Sequence, residues 1–354
     1  MVVAATVLAI SCGKEEAEPD TRTTPADTPA DTPIAGKQLV KMNMFSYHNA
    51  GLLTIDDYGF ASGGWTDGQY GESRIQWTGN NITGISEYDF KNGAFVEDQE
   101  LRVAFTYSNN RMTEVNTHDG TVYLTYTGDL LTEVYSGGYR QVLTYSNDGH
   151  LTKVATSNSG GSYEERLTWN GENVATIQTY YDGEWYSTTS FTYDSKKSPY
   201  TSMPIAAIAI AATAAIGDYQ HLSENNVIRE ETTYNEYIET YIYAYTYIGE
   251  YPVKCVKSQE HEWNASYSEY TIYFEYSDGT KTDVPQAYTI TTSAQVSDDP
   301  LTSVWGGGTY AQGKTAQLHA RSHNYTFSRW SDGNTDNPRS ITVNKNWNLT
   351  AVYE

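Results

Sequence analysis

The sequence predicts an all-β protein: an antiparallel meander of short hairpins with one short Ala-rich helix set into it. Three observations carry this expectation. A hairpin pattern recurs between residues 74 and 195 with 19 to 30 residues from one copy to the next, a spacing that suits two strands and two turns rather than a strand and a helix. The turns are runs of Asn, Asp and Gly, which tolerate the positive φ of tight hairpins. The 354 residues include 32 Tyr within a hydrophobic fraction of 38%, so the core is aromatic-rich. Aromatics at 14% are too many for a chain disordered throughout. Forty-four Asp+Glu against 22 Lys+Arg give a formal charge of −22, which repels phosphate backbones and excludes a nucleic-acid partner. No run approaches the ~20 apolar residues of a membrane-spanning helix.

Residues 1–11 are apolar apart from Thr6 and Ser11 and end in small residues before Cys12, as the apolar region of an export signal does, although no Lys or Arg precedes them. Ala9-Ile10-Ser11-Cys12 resembles the lipobox of bacterial lipoproteins. That resemblance implies that Cys12 is acylated and becomes the mature N-terminus; a buried strand with a chance cysteine is the other reading. More than one acyl chain gives durable attachment, so the expected partner is a membrane, reached through a lipid anchor. Residues 12–36 hold Pro19, Pro25, Pro29 and Pro33 among Thr, Asp and Glu, the composition of an extended, semi-rigid spacer. Lys14-Glu15-Glu16 resembles the acidic surface-export tag of Bacteroides-type lipoproteins, which implies outer-membrane attachment and display at the cell surface, with the periplasmic face as the alternative.

Residues 37–285 form the meander. Each copy runs from an alternating strand ending in an aromatic, through a polar turn, to an aliphatic-Thr-x-aliphatic return. Val103 to Tyr107 leads to Met112-Thr113-Glu114-Val115, Val122 to Tyr126 to Leu131-Thr132-Glu133-Val134, and Val142 to Tyr145 to Leu151-Thr152-Lys153-Val154. Trp77, Trp169 and Tyr193 are the anchors of further copies, the last turning through Asp194-Ser195. Alternate residues of one strand share a face, so the stacked copies build an aromatic–aliphatic stripe. Tyr145-Ser146-Asn147-Asp148-Gly149-His150 resembles the YD repeat of bacterial surface proteins. The segment as a whole resembles the porin-like-fold domain of unknown function found in Bacteroides-type lipoproteins. The resemblance implies a meander curled towards a barrel and no established activity. Charged strands such as Glu230 to Tyr234 do not suit a lipid-facing band.

Two segments interrupt the pattern. Residues 205–216 are Ala-rich and predict a helix, about 18 Å long, that plugs one mouth of the curled sheet. Tyr241, Tyr243, Tyr245 and Tyr247 alternate along one strand and share a face. They are the candidate ligand-binding residues, as a flat stacking platform for sugar rings; cross-strand packing inside the sheet is the competing reading. Cys255 alternates with Val253 across Lys254 and Lys257 and reads as a core-facing strand residue.

Residues 286–354 change character. Gly307-Gly308-Thr309-Tyr310, Phe327-Ser328-Arg329-Trp330-Ser331-Asp332-Gly333, Asn337-Pro338-Arg339 and Ala351-Val352-Tyr353 follow in order. This set resembles the divergent internalin B-repeat module, which implies a small β-grasp-like C-terminal domain used as a stalk or adhesive spacer. Its Trp330 and Phe327 read as core anchors, with Gly306 to Gly308 and Asp332-Gly333 as turns.

No motif calls for a cofactor, a metal or a catalytic residue. Asp332, Asn334 and Asp336 have the spacing that opens a calcium loop, but Asn337 and Val343 stand where Gly and Glu are required. His319 and His323 would pair on a helix, not on a strand. Glu164-Glu165 and Glu230-Glu231 point to opposite strand faces and read as surface residues. The expected function is non-catalytic binding, adhesion or scaffolding at the cell envelope, with a glycan or a surface protein as partner. A polysaccharide-acting enzyme with two distant carboxylates and a purely structural spacer are the alternatives. Metabolic labelling with a fatty-acid probe tests the anchor: label is expected on the parent chain and absent from Cys12→Ala, and its persistence there refutes acylation of Cys12.

Overall fold

The structure, a computed structural model, describes residues 37–49, 54–55, 61–62, 66–158, 160–204, 218–260, 267–296, 299 and 301–354. The lipobox, the spacer and the Ala-rich segment 205–216 lie outside the described residues. The strands of the first part are β1 (Leu39–Asn49), β2 (Thr54–Ile55), β3 (Ala61–Ser62), β4 (Thr66–Thr78), β5 (Asn81–Lys91), β6 (Ala94–Ser108), β7 (Arg111–Thr117), β8 (Gly120–Thr127), β9 (Leu130–Ser136) and β10 (Tyr139–Tyr145). They continue with β11 (Leu151–Asn158), β12 (Gly161–Asn170), β13 (Asn173–Tyr181), β14 (Glu184–Lys197), β15 (Asn225–Thr233), β16 (Ile238–Ile248), β17 (Tyr251–Glu260) and β18 (Tyr267–Tyr276). Leaving out β2 and β3, which pair only with each other, these sixteen strands form one closed antiparallel barrel. Each strand pairs with its neighbour in sequence, and β1 closes the ring between β18 and β4. The curled meander expected from the sequence therefore closes completely, which removes the unpaired edges of an open sheet.

One local device repeats around the barrel. Where a copy's aromatic faces its return strand, the register slips by one residue: Tyr107 pairs with Met112 while Thr106 pairs with Glu114, and the same step recurs at Tyr126/Leu131, Tyr145/Leu151 and Trp169/Val174. The extra residue is the Thr of the aliphatic-Thr-x-aliphatic motif, or Ala175 in the last case. An undisturbed strand would send two aliphatics three positions apart to opposite faces. The bulge adds a residue, so Leu131 with Val134, and Leu151 with Val154, all face inward at no more than 1% exposure. The bulged threonines hydrogen-bond across: Thr152 Oγ1 donates to the Thr144 carbonyl (3.1 Å) and Thr132 Oγ1 to the Thr125 carbonyl (3.3 Å).

The aromatics themselves link each hairpin to the one before. The Trp77 indole N–H donates to the Leu39 carbonyl (2.8 Å), the Tyr107 hydroxyl to Ile82 (3.0 Å), Tyr145 to Leu131 (2.8 Å), the Trp169 indole to Leu151 (2.7 Å) and Tyr193 to Val174 (2.7 Å). A large ring with a donor at its tip meets both demands of the position. The ring fills the inner wall, and the tip pairs with a carbonyl that the bulge takes out of the ladder. The last copy differs from expectation. β14 does not turn at Asp194-Ser195 but runs on to Lys197, and the Asp194 carboxylate accepts from the Asn226 backbone and amide N–H groups and from the Tyr247 hydroxyl.

The described parts of the β14–β15 connection pack into one mouth. Ser198 to Pro204 and the 3-10 turn Asp218–Leu222 pack against the aliphatic belt of the inner wall, and Tyr219 is 1% exposed. The Ser223 hydroxyl accepts from the Val174 backbone N–H (3.0 Å) and donates to the Tyr193 hydroxyl (2.9 Å), fixing the plug to two anchor positions. The outer wall carries ion pairs. Lys153 and Arg166 bracket Glu164 (2.8 and 2.6 Å), Arg140 pairs with Glu133 (2.5 Å), and Arg229 with Glu231 and Glu260 (3.1 and 3.0 Å). Charges on the outer face do not suit contact with hydrocarbon.

Seven further strands lie outside the ring: β19 (Ala287–Ala294), β20 (Ser303–Trp305), β21 (Gly308–Ala311), β22 (Thr315–Arg321), β23 (Phe327–Trp330), β24 (Arg339–Thr342) and β25 (Trp347–Tyr353). β19 pairs in parallel with β25 and antiparallel with β21, while β20, β22 and β24 form a second sheet. Trp330 is fully buried in the core between them, its indole N–H donating to the Asp336 carbonyl (2.9 Å). That core continues onto the outer wall of the barrel through Phe45, Tyr47 and Tyr273. Gly306 to Gly308 is not a simple hairpin turn. It carries the chain from one sheet to the other, and Gly308, at φ +128°, lies so close to β4 that a Cβ there would stand 2.0 Å from the Gly68 carbonyl.

The aromatic links are testable one at a time. Tyr145→Phe keeps the ring but strands the Leu131 carbonyl, and is expected to cost about 1–3 kcal/mol in urea unfolding at unchanged slope. Tyr123→Phe, on the outer wall, should stay within about 0.5 kcal/mol of the parent. Equal effects would mean that the hydroxyl at the anchor position contributes nothing.

Candidate functional site

The four tyrosines singled out from the sequence share a face of β16, and that face is the inner wall. They do not form one platform, because each meets a different partner along the barrel. Tyr241 donates its hydroxyl to Glu239 Oε1 (2.9 Å), Tyr243 to Glu230 and Tyr247 to Asp194, while Tyr245 packs against the buried Cys255. Burial, reinforced by Glu230, holds the Tyr243 hydroxyl well above its ordinary range, and burial next to Cys255 does the same for Tyr245. Cys255 sits where the strand pattern placed it, at 2% exposure, and burial pushes its thiol up to about 12.

Lys257 faces the lumen with Cys255 rather than outward. Its ammonium lies 3.5 Å from Glu230 Oε2, with the Tyr241 and Tyr243 ring centres at 4.3 and 5.0 Å. The adjacent carboxylate pairs divide between the two faces of the wall, as expected, but only one of each pair is a surface residue. Glu164 and Glu231 are outside in ion pairs, whereas Glu165, at 3% exposure, and Glu230 are inside. The sequence pattern misses this because strand alternation tells the two faces apart without saying which one is enclosed.

The inner wall thus has two zones. Towards the plug it is aliphatic and packed. Towards the opposite mouth it carries Glu87, Glu165, Glu230 and Glu239, each already engaged: Ser73 donates to Glu87 (2.7 Å), Tyr163 to Glu165 (2.8 Å), Tyr243 to Glu230, and Tyr241 and Gln259 (2.6 Å) to Glu239. At that mouth stands a group of tyrosines that the sequence reading did not single out. Ring centres run Tyr163–Tyr181 at 5.0 Å, Tyr181–Tyr186 at 4.9 Å, Tyr186–Tyr234 at 5.6 Å and Tyr234–Tyr237 at 4.5 Å. Tyr181, Tyr186 and Tyr237 are 41, 47 and 59% exposed. Burial, with Glu239 nearby, raises the Tyr234 hydroxyl to about 12. The signal was the placement of these tyrosines beside the second set of turns, at Tyr181-Asp182-Gly183 and Tyr234 to Tyr237. The anchor aromatics instead precede the first set.

A second concavity, of about 500 Å³, lies beside the plug, lined in part by Leu151, Trp169, Tyr200, Met203 and His221. His150 stacks on Trp169 there with ring centres 4.4 Å apart. In the C-terminal strands Arg339 holds both oxygens of Asp332 (2.8 and 2.7 Å), so the carboxylate that would open a calcium loop is engaged. His319 is buried against Trp305, away from the position of His323 beyond the strand end. Among the described residues no cluster of His, Cys, Asp and Glu has the makings of a metal site.

Among solved structures the chain is similar to a porin-like protein from Bacteroides vulgatus ATCC 8482, at 10% identity and a TM-score of 0.32, covering 68% of this chain and 99% of that one. No protein-family model matches the chain, and no curated protein matches it.

The lumen carboxylates give a pH signature. Burial pushes Glu87 up to about 7, with Asp89 and Asp98 adding to the shift and the Ser73 hydrogen bond opposing it. As pH rises from about 4.5 to 7 the unfolded chain ionises this group while the folded chain keeps its proton. Folding stability therefore falls across that window and levels off above it. Glu87→Gln removes the effect, and is expected to be more stable than the parent by up to about 3 kcal/mol at pH 8 with no advantage at pH 4. A constant difference between the two proteins across this range would refute the assignment.

Proposed function

We propose that the chain is a non-catalytic binding protein of the bacterial cell envelope, tethered to the outer membrane through acylated Cys12, with a glycan held at the tyrosine-rich mouth of its barrel. The observation that carries this reading is the gathering of exposed tyrosines at one mouth, with hydroxyl and carboxylate groups immediately below them. Tyrosine offers a flat apolar face and a polar tip, the combination a sugar ring needs. The platform is thus re-sited from Tyr241, Tyr243, Tyr245 and Tyr247, whose hydroxyl and ring contacts lie inside the wall, to the rim above them.

The location of the charges favours binding over hydrolysis. A glycosidase sets two carboxylates across the scissile bond as acid and as base or nucleophile, whereas Glu165, Glu230 and Glu239 each hold a neighbouring tyrosine hydroxyl on the inner wall. The ion-paired outer wall fits a barrel held out from a bilayer on its Pro-rich spacer. In this reading the YD-repeat-like and internalin-B-repeat-like portions supply scaffold and spacer.

A glycan array probed with the soluble chain from Gly36 onward tests the reading. At least one plant, host or bacterial glycan is expected to bind, and the triple substitution Tyr181→Ala, Tyr186→Ala, Tyr237→Ala should weaken that binding about tenfold or more. An array without hits, or a hit untouched by the substitutions, would remove the tyrosine mouth as a glycan site.

A further inference from the structure

The arrangement of the rings at this mouth says more about its ligand than the number of rings does. Tyr181 and Tyr186 meet at 85° and Tyr186 and Tyr234 at 81°, with Tyr163 and Tyr181 at 54°. The two pairs near a right angle meet edge to face, while Tyr234 and Tyr237, at 22°, lie stacked. The ring surfaces left open on Tyr181, Tyr186 and Tyr237, which are 41, 47 and 59% exposed, are electron-rich on their faces and attract cations through the ring quadrupole.

The surrounding charge has the matching sign. Glu165 accepts from the Tyr163 hydroxyl at 2.8 Å, and Glu239 stands opposite Thr232 in the register, two positions from both Tyr234 and Tyr237. Elsewhere the barrel covers its tyrosine faces with its own cations. Arg74 lies 3.9 Å from the centre of the Tyr88 ring, Arg166 4.2 Å from Tyr180 and Arg111 4.7 Å from Tyr126. Over the rings of Tyr163, Tyr181, Tyr186, Tyr234 and Tyr237 no Lys or Arg stands among the described residues.

We infer that the tyrosine mouth recognises an organic ammonium group, and that the glycan proposed above is one that presents such a group, an amino sugar with its amine free. This rests on the binding reading of the mouth and narrows it to a chemical class. The ammonium would lie against the faces of Tyr186 and its neighbours, within the field of Glu165 and Glu239. The sugar rings would take the outer tyrosines.

The test uses the full chain in detergent at pH 6, where sugar amines carry their protons. Four probes are titrated by NMR: tetramethylammonium chloride and short oligomers of glucosamine, N-acetylglucosamine and glucose. The glucosamine oligomer is expected to bind at least tenfold more tightly than the two neutral oligomers. Tyr186→Leu, which keeps apolar bulk but removes the ring, should weaken both glucosamine oligomer and tetramethylammonium several-fold. Glu239→Gln, which keeps an acceptor for the Tyr241 hydroxyl, should weaken only the charged probes, and unchanged thermal unfolding will confirm that both variants fold. Equal affinity for charged and neutral oligomers would overturn the ammonium inference and leave the glycan reading intact. Binding of tetramethylammonium with no oligomer bound would do the reverse. Silence from all four probes would remove both.

Discussion

The barrel depends on one constraint met over and over: a carbonyl displaced from the ladder by a bulge must find a donor, and an aromatic tip from the next copy provides it. The displaced groups are the carbonyls of Ile82, Leu131, Leu151 and Val174, and the donors are Tyr107, Tyr145, Trp169 and Tyr193. An unpaired buried carbonyl costs more than a typical hydrogen bond contributes, so neither bulge nor aromatic is stable without the other. Each donor reaches back to the preceding hairpin, so the links run in one direction around the ring that β1 closes against β18.

The same device divides the interior. By turning two aliphatics per return strand to the inside it builds a dry belt at one end, where the plug with Tyr219 is seated. Towards the other mouth the inward positions hold Glu, Thr, Gln and Tyr. Gln141, with Thr156 hydrogen-bonded to it at 3.2 Å, and Glu165 mark the change. The barrel is thus filled with apolar side chains at one end and lined with polar groups at the other.

Much of this was legible in the residues. The aromatic anchors, the Asn/Asp/Gly turns and the stacking of copies were read from spacing, because period-two alternation and turn chemistry are local properties. The bulge was legible in principle: in Leu131-Thr132-Glu133-Val134 two buried aliphatics sit three apart, which no regular strand permits on one face. Which face is enclosed was not legible, since alternation is symmetric. Lys257 and Glu165 therefore read as surface charges, and the β16 tyrosines as either a platform or interior packing, until closure of the ring settled their side. The docking of the C-terminal strands on Phe45, Tyr47 and Tyr273 was equally out of reach, because it depends on a contact between Gly68 and Gly308, 240 positions apart.

Tyrosine serves three purposes in this chain, and position along the strand decides which. Beside the first set of turns its hydroxyl meets a bulge carbonyl and it acts as a structural link. On the outer wall its face takes a cation from a neighbouring strand, as Tyr180 takes Arg166 and Tyr88 takes Arg74. Beside the second set of turns the cations of β11, β12 and β15 are already paired on the outside with Glu164, Glu231 and Glu260. The chain has twice as many acidic as basic residues, so its cations run out before its ring faces do. What is left at that mouth is a set of electron-rich faces next to carboxylates, a field that repels anions and that an ammonium group would complete.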